Sequence, residues 1–352
     1  MPIANLEPLL IQKMHKVLVT GGAGFIGSNY IKLVLDKADS MVVNLDKLTY
    51  AANLENLSFA QNNDNYHFVE GDICDATLVN SLFDRYDFDR VVHFAAESHV
   101  DNSIDSPADF VQTNIVGTFT LLSAAYMHWM QKPFVFKEGQ ENNRFLHIST
   151  DEVYGSLGDS GLFTEQTPYA PNSPYSASKA SSDMLVRSYF HTYGMPVVTT
   201  NCSNNYGPNQ HKEKLIPTII RKALAGEDIP IYGDGSNVRD WLYVMDHCRG
   251  IDLALNKGAL GETYNIGGNN EYANITIAKH ICGVLDAQLP SKNTKSYCDQ
   301  ISFVADRPGH DFRYAIDASK ISNDLGWKPK EDFVSGIKKT VSWYLEHKNR
   351  LQ

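Results

Sequence analysis

The sequence predicts an α/β protein with a doubly wound parallel sheet, followed by a smaller mixed C-terminal domain. Three observations carry this expectation. Short apolar runs alternate with amphipathic stretches from Lys16 to Thr200. A glycine-rich turn joins the first run to the first amphipathic stretch. From Val197 onward the elements shorten and the loops lengthen. Strands alternating with helices imply parallel pairing through right-handed crossovers. The change in pattern divides the chain into 16–204 and, mainly, 205–352, with some interleaving of segments between the two.

The 352 residues suffice for one large domain or two ordinary ones. With 43% hydrophobic and 20% charged residues, a substantial core is available. The formal net charge of −10 argues against nonspecific nucleic-acid binding, which needs a basic surface. An anionic small ligand is still allowed, because a few local arginines can hold it. Cys74, Cys202, Cys248, Cys282 and Cys298 are scattered and form no CxxC pair. They read as free thiols of a reducing cytoplasm, and zinc-ligand spacing is missing, so no metal is expected. Residues 1–15 contain Glu7 and lack a long apolar core, which makes a poor signal peptide. No apolar run approaches the ~20 residues of a membrane span. A cytoplasmic protein without membrane or nucleic-acid partners is the expectation.

Lys16 to Thr20 reads as strand one and leads into Gly21, Gly24 and Gly27, a Gly-x-x-Gly-x-x-Gly turn. An amphipathic helix follows, with Phe25, Ile26, Ile31, Val34 and Leu35 on its apolar side. Glycines let the backbone approach a pyrophosphate, whose charge then meets a helix N-terminus. The second strand, Met41 to Leu45, is followed by Asp46, placed to hold the ribose hydroxyls of a dinucleotide. An acid there disfavours a 2'-phosphate and so favours NAD over NADP, although Lys47 lies beside it. Strand three is Tyr66 to Val69, and the Asp72 loop after it offers a rest for adenine. Strand four, Val91 to Phe94, ends in Ala95 and Ala96, small enough for a cofactor to lie close, and Ser98 follows. A helix is expected over 107–129. The polar segments 61–65 and 137–144 read as exposed loops.

Phe145 to Ser149 reads as a buried strand, with Thr150, Asp151 and Glu152 standing together at its end. Ligands in open α/β sheets sit outside the carboxyl ends of the strands. An acid, a base and a hydroxyl at such an end suit chemistry, and also suit simple capping of the next turn. A helix expected from about Ser173 to Tyr193 carries Tyr175 and Lys179 one turn apart. Bringing a Tyr hydroxyl from ~10 to ~7 takes roughly 4 kcal/mol. One cation about 4 Å away at an effective dielectric of roughly 20 offers that much. Tyr175 is thereby expected to take a proton from a sugar hydroxyl as hydride leaves to NAD.

Val197 to Thr200 reads as a further core strand, and Asn204 to Pro208 as a polar turn at its end. A helix is expected at 214–224, strands at 229–232 and 240–244, and a C-terminal amphipathic helix over 331–351. Arg239 and Arg307, the latter in the turn Asp306-Arg307-Pro308-Gly309-His310, suit a bidentate clamp on a substrate pyrophosphate or, equally, surface salt bridges.

The glycine turn, Tyr175-x-x-x-Lys179 and the basic C-terminal turns resemble the extended short-chain dehydrogenase/reductase family, and within it the dTDP-glucose 4,6-dehydratases. The specific pieces are Asp46 to Ala51, Ala95 to Asp101, Ser149 to Gly155, Asn204 to Pro208 and Asp306 to His310, and the resemblance spans about 16–348. It implies a Rossmann-type NAD domain and a homodimer formed by the helices near 107–129 and 174–193. It implies a reaction on dTDP-glucose: oxidation at C4, loss of water across C5 and C6, and hydride return to C6. Tyr175 and Lys179 would serve the oxidation, Thr150 would hold the C4 oxygen, Glu152 would be the base and Asp151 the acid. Asp151 should then have the raised pKa. Contacts to NAD would come from Phe25, Ile26, Asp46, Lys47, Leu48, Thr49, Asp72, Ile73, Phe94, Thr113 and Asn205. The nucleotide sugar would meet Ser98, Asn204, Lys214, Leu215, Arg239, Asn274, Asp306, Arg307 and His310. Its base would meet Pro230, Ile231 and Tyr232. The sequence departs from the family at Asn102, where arginine is common, and in residues before 16, which extend beyond the usual start. Three other readings stay open: a dehydratase for a UDP or CDP sugar, a C4 epimerase that uses Tyr175 without the acid-base pair, and a noncatalytic NAD-binding regulator on the same fold.

Overall fold

The structure is a computed structural model and describes residues 14–306 and 311–351. The expectations for the opening residues, for Arg307 and for His310 lie outside the described residues. β1 (His15–Thr20) runs into the glycine turn and α1 (Phe25–Lys37) returns along the sheet. β2 (Ser40–Asp46), β3 (Tyr66–Glu70), α2 (Ala76–Tyr86) and β4 (Arg90–His93) follow. Then come α3 (Val100–Asp105), α4 (Pro107–Phe110), a wide π turn (Val111–Gly117) and α5 (Thr118–Trp129). The uninterrupted helix expected over 107–129 is thus broken by the π turn.

A small hairpin, β5 (Met130–Lys132) and β6 (Val135–Phe136), precedes β7 (Arg144–Thr150). The end of the loop expected at 137–144 is not exposed. Asn143 is buried, and the Arg144 guanidinium donates to the carbonyls of Leu255 and Gly258. α6 (Pro174–Tyr193), β8 (Val197–Cys202) and β9 (Asn204–Tyr206) come next. β9 corrects the polar turn expected there: it pairs in parallel with Trp241 to Tyr243, a partner that local composition does not reveal. The remaining elements are α7 (Leu215–Ala225), β10 (Ile229–Tyr232), β11 (Val238–Tyr243), α8 (Val244–Lys257), β12 (Thr263–Ile266), β13 (Glu271–Ala273), α9 (Asn274–Gln288), β14 (Ile301–Val304), β15 (Arg313–Tyr314), α10 (Ser319–Leu325) and α11 (Phe333–Glu346). The last helix is shorter than expected. The Asp332 side chain caps its start by accepting from the Ser335 N–H, and a 3-10 turn (Lys348–Leu351) follows it.

Among the described residues the large sheet has seven strands in the order β3-β2-β1-β4-β7-β8-β12. All neighbours are parallel. β12 comes from the second half of the chain and closes one edge. Alternate residues of β1 serve opposite faces, as the two-residue period of a strand requires. Val17 and Val19 pack with Tyr30 and Ile31 of α1 and Ile251 of α8. Leu18 packs on the other side with Phe83 of α2, Leu121 of α5 and Val186 of α6. A separate core joins α7, α9 and α11 through Ile216, Ile281 and Ile337 to Ile229 and Trp241 of β10 and β11.

Phe83 is fully buried, edge-on to Phe88 and Trp129. Phe83→Ala is expected to cost about 3–5 kcal/mol of stability, read as a lower denaturant midpoint.

Candidate active site

Parallel strands all end at one edge, and β1, β4, β7 and β8 are neighbours. The turns after Thr20, His93, Thr150 and Cys202 therefore meet, at the kind of crevice where open α/β sheets bind ligands. They enclose a cavity of about 320 Å³. Gly21, Gly24 and Gly27 form one wall. Gly21 is left-handed, with φ of +72°, and a Cβ on it would stand 2.7 Å from the Ala95 backbone. A Cβ on Gly27 would meet the Gly21 carbonyl oxygen at 2.5 Å. Gly24 begins α1 without a side-chain cap, so the first N–H groups of the helix are left for a ligand. Phe25 and Ile26 line the cavity beside them.

Asp46 ends β2 and accepts from the N–H groups of Ala23 (2.8 Å) and Leu48 (2.9 Å). Burial raises its pKa. The Lys47 ammonium pairs with Asp72 at 2.7 Å, so it is already engaged rather than poised for a 2'-phosphate. Thr49, Ile73, Phe94, Ala95, Ala96, Ser98 and Thr113 complete this part of the wall. The π turn sets Thr113 here, while its neighbour Asn114 accepts from the Glu97 N–H and donates to the Glu97 carbonyl. Leu48 is not on the wall: its φ is +55° and its side chain packs on the core. An uncapped helix start, a glycine cradle and a carboxyl at the ribose position together fit NAD.

β7 delivers the acid pair. A 3-10 turn (Asp151–Tyr154) follows Thr150, whose hydroxyl accepts from the Glu152 N–H at 3.3 Å. The same hydroxyl donates to Asp151 Oδ1 at 3.3 Å, and Asp151 Oδ2 is buried without a partner among the described residues. Asp151 is 2% exposed. Burial pushes its carboxyl well above the usual range, the charges of Glu152 and Asp240 add to this, and Arg239 opposes it. Ionising a carboxyl in such a place costs far more than leaving the proton on.

α6 delivers the other pair. A capping box between Ser173 and Ser176, with Pro174 at the first helical position, sets where the helix starts. Tyr175 and Lys179 are both buried, and the Lys179 ammonium donates to the Ile148 carbonyl at 2.8 Å. Burial pushes the Tyr175 hydroxyl far up, Glu152 and Cys202 add to this, and a hydrogen bond with Thr150 eases it. The expectation that Lys179 alone brings Tyr175 toward neutrality is therefore not met. Burial lowers the lysine's own pKa, and its ammonium is engaged by a carbonyl.

Asn204, Asn205 and Lys214 also line the cavity, and Lys214 donates to the Ser98 carbonyl at 3.5 Å. The rest of the expected sugar-nucleotide set stands off this wall. Arg239 is 6% exposed and donates to the carbonyls of Val238, Asp311 and Phe312, with its guanidinium over the Tyr314 ring. It is neither an open clamp nor a surface salt bridge. Ile231 is buried in the core that joins α7, α9 and α11, with Pro230 half-buried and Tyr232 exposed on either side. Leu215 packs against the same core. The Asn274 N–H donates to the Asn237 carbonyl at the start of α9, and Asp306 is exposed. Sequence reasoning missed Tyr50, Cys202, Ser203, Gln210 and His211 on the cavity wall. Tyr50 lies in a stretch already singled out by motif, as do Glu97 and His99, which also line the cavity. Among the described residues, no cluster of three or more His, Cys, Asp or Glu is placed to hold a metal.

A family model described as GDP-mannose 4,6 dehydratase matches residues 18–340. The chain belongs to this dehydratase family. It is 56% identical over 335 residues to a dTDP-glucose 4,6-dehydratase of Xanthomonas campestris pv. campestris, covering 95% of this chain and 94% of that one. It is 54% identical over 341 residues to dTDP-glucose 4,6-dehydratase 1 of Escherichia coli K12, covering 94% and 93%. Among solved structures, the dTDP-glucose 4,6-dehydratase DesIV of Streptomyces venezuelae, with NAD and TYD bound, superimposes with a TM-score of 0.85 at 45% identity, covering 95% and 98%. A UDP-glucose 4-epimerase of Thermotoga maritima gives a TM-score of 0.82 at only 28% identity, covering 94% and 99%. Fold alone thus spans both chemistries, whereas sequence identity favours the dehydratases.

A buried carboxyl with a raised pKa costs stability progressively as pH rises from its unfolded value to its folded one. Asp151→Asn removes that cost. The variant is expected to melt higher than the parent, with a gap that opens as pH rises from about 4. Thermal melts across pH check this.

Proposed function

We propose that this chain converts dTDP-glucose to dTDP-4-dehydro-6-deoxyglucose and water, with resident NAD. The observation that carries the reading is Asp151: a buried carboxyl, pushed toward its protonated form, beside Glu152 on the turn that faces Tyr175. A C4 epimerase has no use for such an acid, and the relatives at 54–56% identity are named dTDP-glucose 4,6-dehydratases.

NAD, held by the glycine turn and Asp46, would supply the hydride acceptor for C4 and donor for C6, together with a positive charge that Tyr175 lacks in the protein alone. Tyr175 accepts the C4 hydroxyl proton, and Thr150 hydrogen-bonds that oxygen. Glu152 then removes the C5 proton, which the new 4-ketone has acidified. Asp151 protonates the departing C6 hydroxyl, so water leaves without building hydroxide in a buried site. Ser98, Asn204 and Lys214 bind the nucleotide sugar on the cavity wall. Arg239 tempers the rise in the Asp151 pKa through its charge, so that the proton Asp151 holds can still be given up. Arg307 and His310 complete the sugar-nucleotide set. UDP or CDP sugars are the alternative substrates.

The chain works as a homodimer in the cytoplasm. The supporting observation for the dimer is apolar exposure on the segments expected to form it: Val111 on the π turn, Phe119 and Met127 on α5, and Met184 on α6 are each at least half exposed. No helix among the described residues is long and apolar enough to cross a membrane.

Proton NMR of dTDP-glucose incubated with the protein in heavy water tests the reaction. A C6 methyl signal with deuterium at C5 is expected, whereas galactose-type signals without a methyl would mean epimerisation. Glu152→Gln is expected to slow elimination by about 10²–10⁴-fold while NAD stays bound. Phe119→Asp is expected to shift the protein from dimer to monomer in sedimentation velocity.

A further inference from the structure

We propose that Asp183 is a positioning residue for hydride transfer: the buried counter-charge that keeps Lys179 charged and locks it between α6 and β7. This rests on the reading of Tyr175 and Lys179 given above. Tyr175, Lys179 and Asp183 are spaced i, i+4 and i+8, so they follow one face of α6. That face lies on β7. Asp183 Oδ1 accepts from His147 Nε2 at 3.0 Å, and Oδ2 accepts from the Ser149 hydroxyl at 2.7 Å. His147 and Ser149 alternate along the strand around Ile148, whose carbonyl takes the Lys179 ammonium. Three consecutive residues of β7 are thus tied to one helix face, immediately before Thr150.

The charge balance of this pocket gives Asp183 a role beyond packing. The groups around the Lys179 and Asp183 charges are His147 and His93 from the sheet, Cys202 from β8, Tyr154 from the turn after β7 and Tyr169 from the loop that follows it. Burial holds His147 down at about 4 and pushes His93 well below its usual value, so neither supplies a cation at neutral pH. The same burial lowers Tyr154, Tyr169 and Cys202 acidity, so none supplies an anion. Asp183 is the leading influence that opposes the desolvation of Lys179. A lysine buried without such a partner loses up to 3–5 units of basicity. Neutral Lys179 would leave Tyr175 still harder to ionise.

The test is Asp183→Asn in the NAD-bound enzyme. The asparagine oxygen still accepts from Ser149, and the charge is gone. Pre-steady-state NADH formation with dTDP-glucose is followed against pH. The acid limb is expected to move up by about one unit or more, with slow oxidation at neutral pH recovering as pH rises. Ser149→Ala keeps the charge, and is expected to lower the melting temperature without moving the limb. An acid limb unmoved in Asp183→Asn, or a loss of rate equal at every pH, overturns the proposal. If Asp183→Asn is insoluble, Asp183→Ser is read in the same way, and failure of both to fold overturns the proposal by assigning Asp183 to the scaffold. A parent enzyme that makes no keto sugar would instead overturn the functional reading itself.

Discussion

The site depends on one packing: α6 laid along β7 at the carboxyl edge of the parallel sheet. The Lys179 ammonium on the Ile148 carbonyl and the Asp183 carboxyl on His147 and Ser149 fix the helix in rotation and in height. The capping box at Ser173 sets where the helix begins, and so which residue reaches the strand end first. With the helix so fixed, Tyr175 must meet Thr150, and the acid pair must meet both. A one-residue shift along an α-helix turns a side chain by about 100°, so the arrangement tolerates no slippage.

Burial then differentiates groups that are chemically alike. Asp151 and Glu152 are adjacent carboxyls, but Asp151 is enclosed while Glu152 is only partly so. The enclosed one pays the greater desolvation cost and keeps its proton, and its neighbour's charge reinforces that choice. The same negative surroundings push Tyr175 up. The protein by itself therefore builds a pocket rich in acidic groups, with Lys179 and Arg239 both engaged by backbone carbonyls. Such a pocket suits a cofactor that brings its own positive charge, and it holds a buried carboxyl pushed toward its protonated form before any substrate enters.

Much of this was legible in the chain. Periodicity placed β1 to β4, β7 and β8 with α1 and α6, because each buries a regular face against the same sheet. The glycine spacing and Asp46 located the cofactor wall, because only glycine tolerates the approach that Gly21 and Gly27 make to neighbouring backbone. The residues that misled were those whose surroundings come from afar. Asn204 to Tyr206 looks like a turn and is a strand, because β11 supplies its partner. Arg239 suited a clamp or a surface salt bridge equally, and it is buried against backbone carbonyls and Tyr314. Asp183 carries no motif of its own, and its meaning came only from the residues of β7 facing it.

The sequence by itself determined the alternation of elements, the chemistry of the strand ends and the pairing of Tyr175 with Lys179, since these depend on spacing of at most a few residues. Tertiary structure alone decided which carboxyl is the more deeply enclosed, how far Tyr175 is from ionising, and which backbone carbonyls engage the cations. Those properties depend on desolvation and on the field of distant charges. Both are set by what the folded chain brings alongside, at separations in sequence that no local pattern encodes.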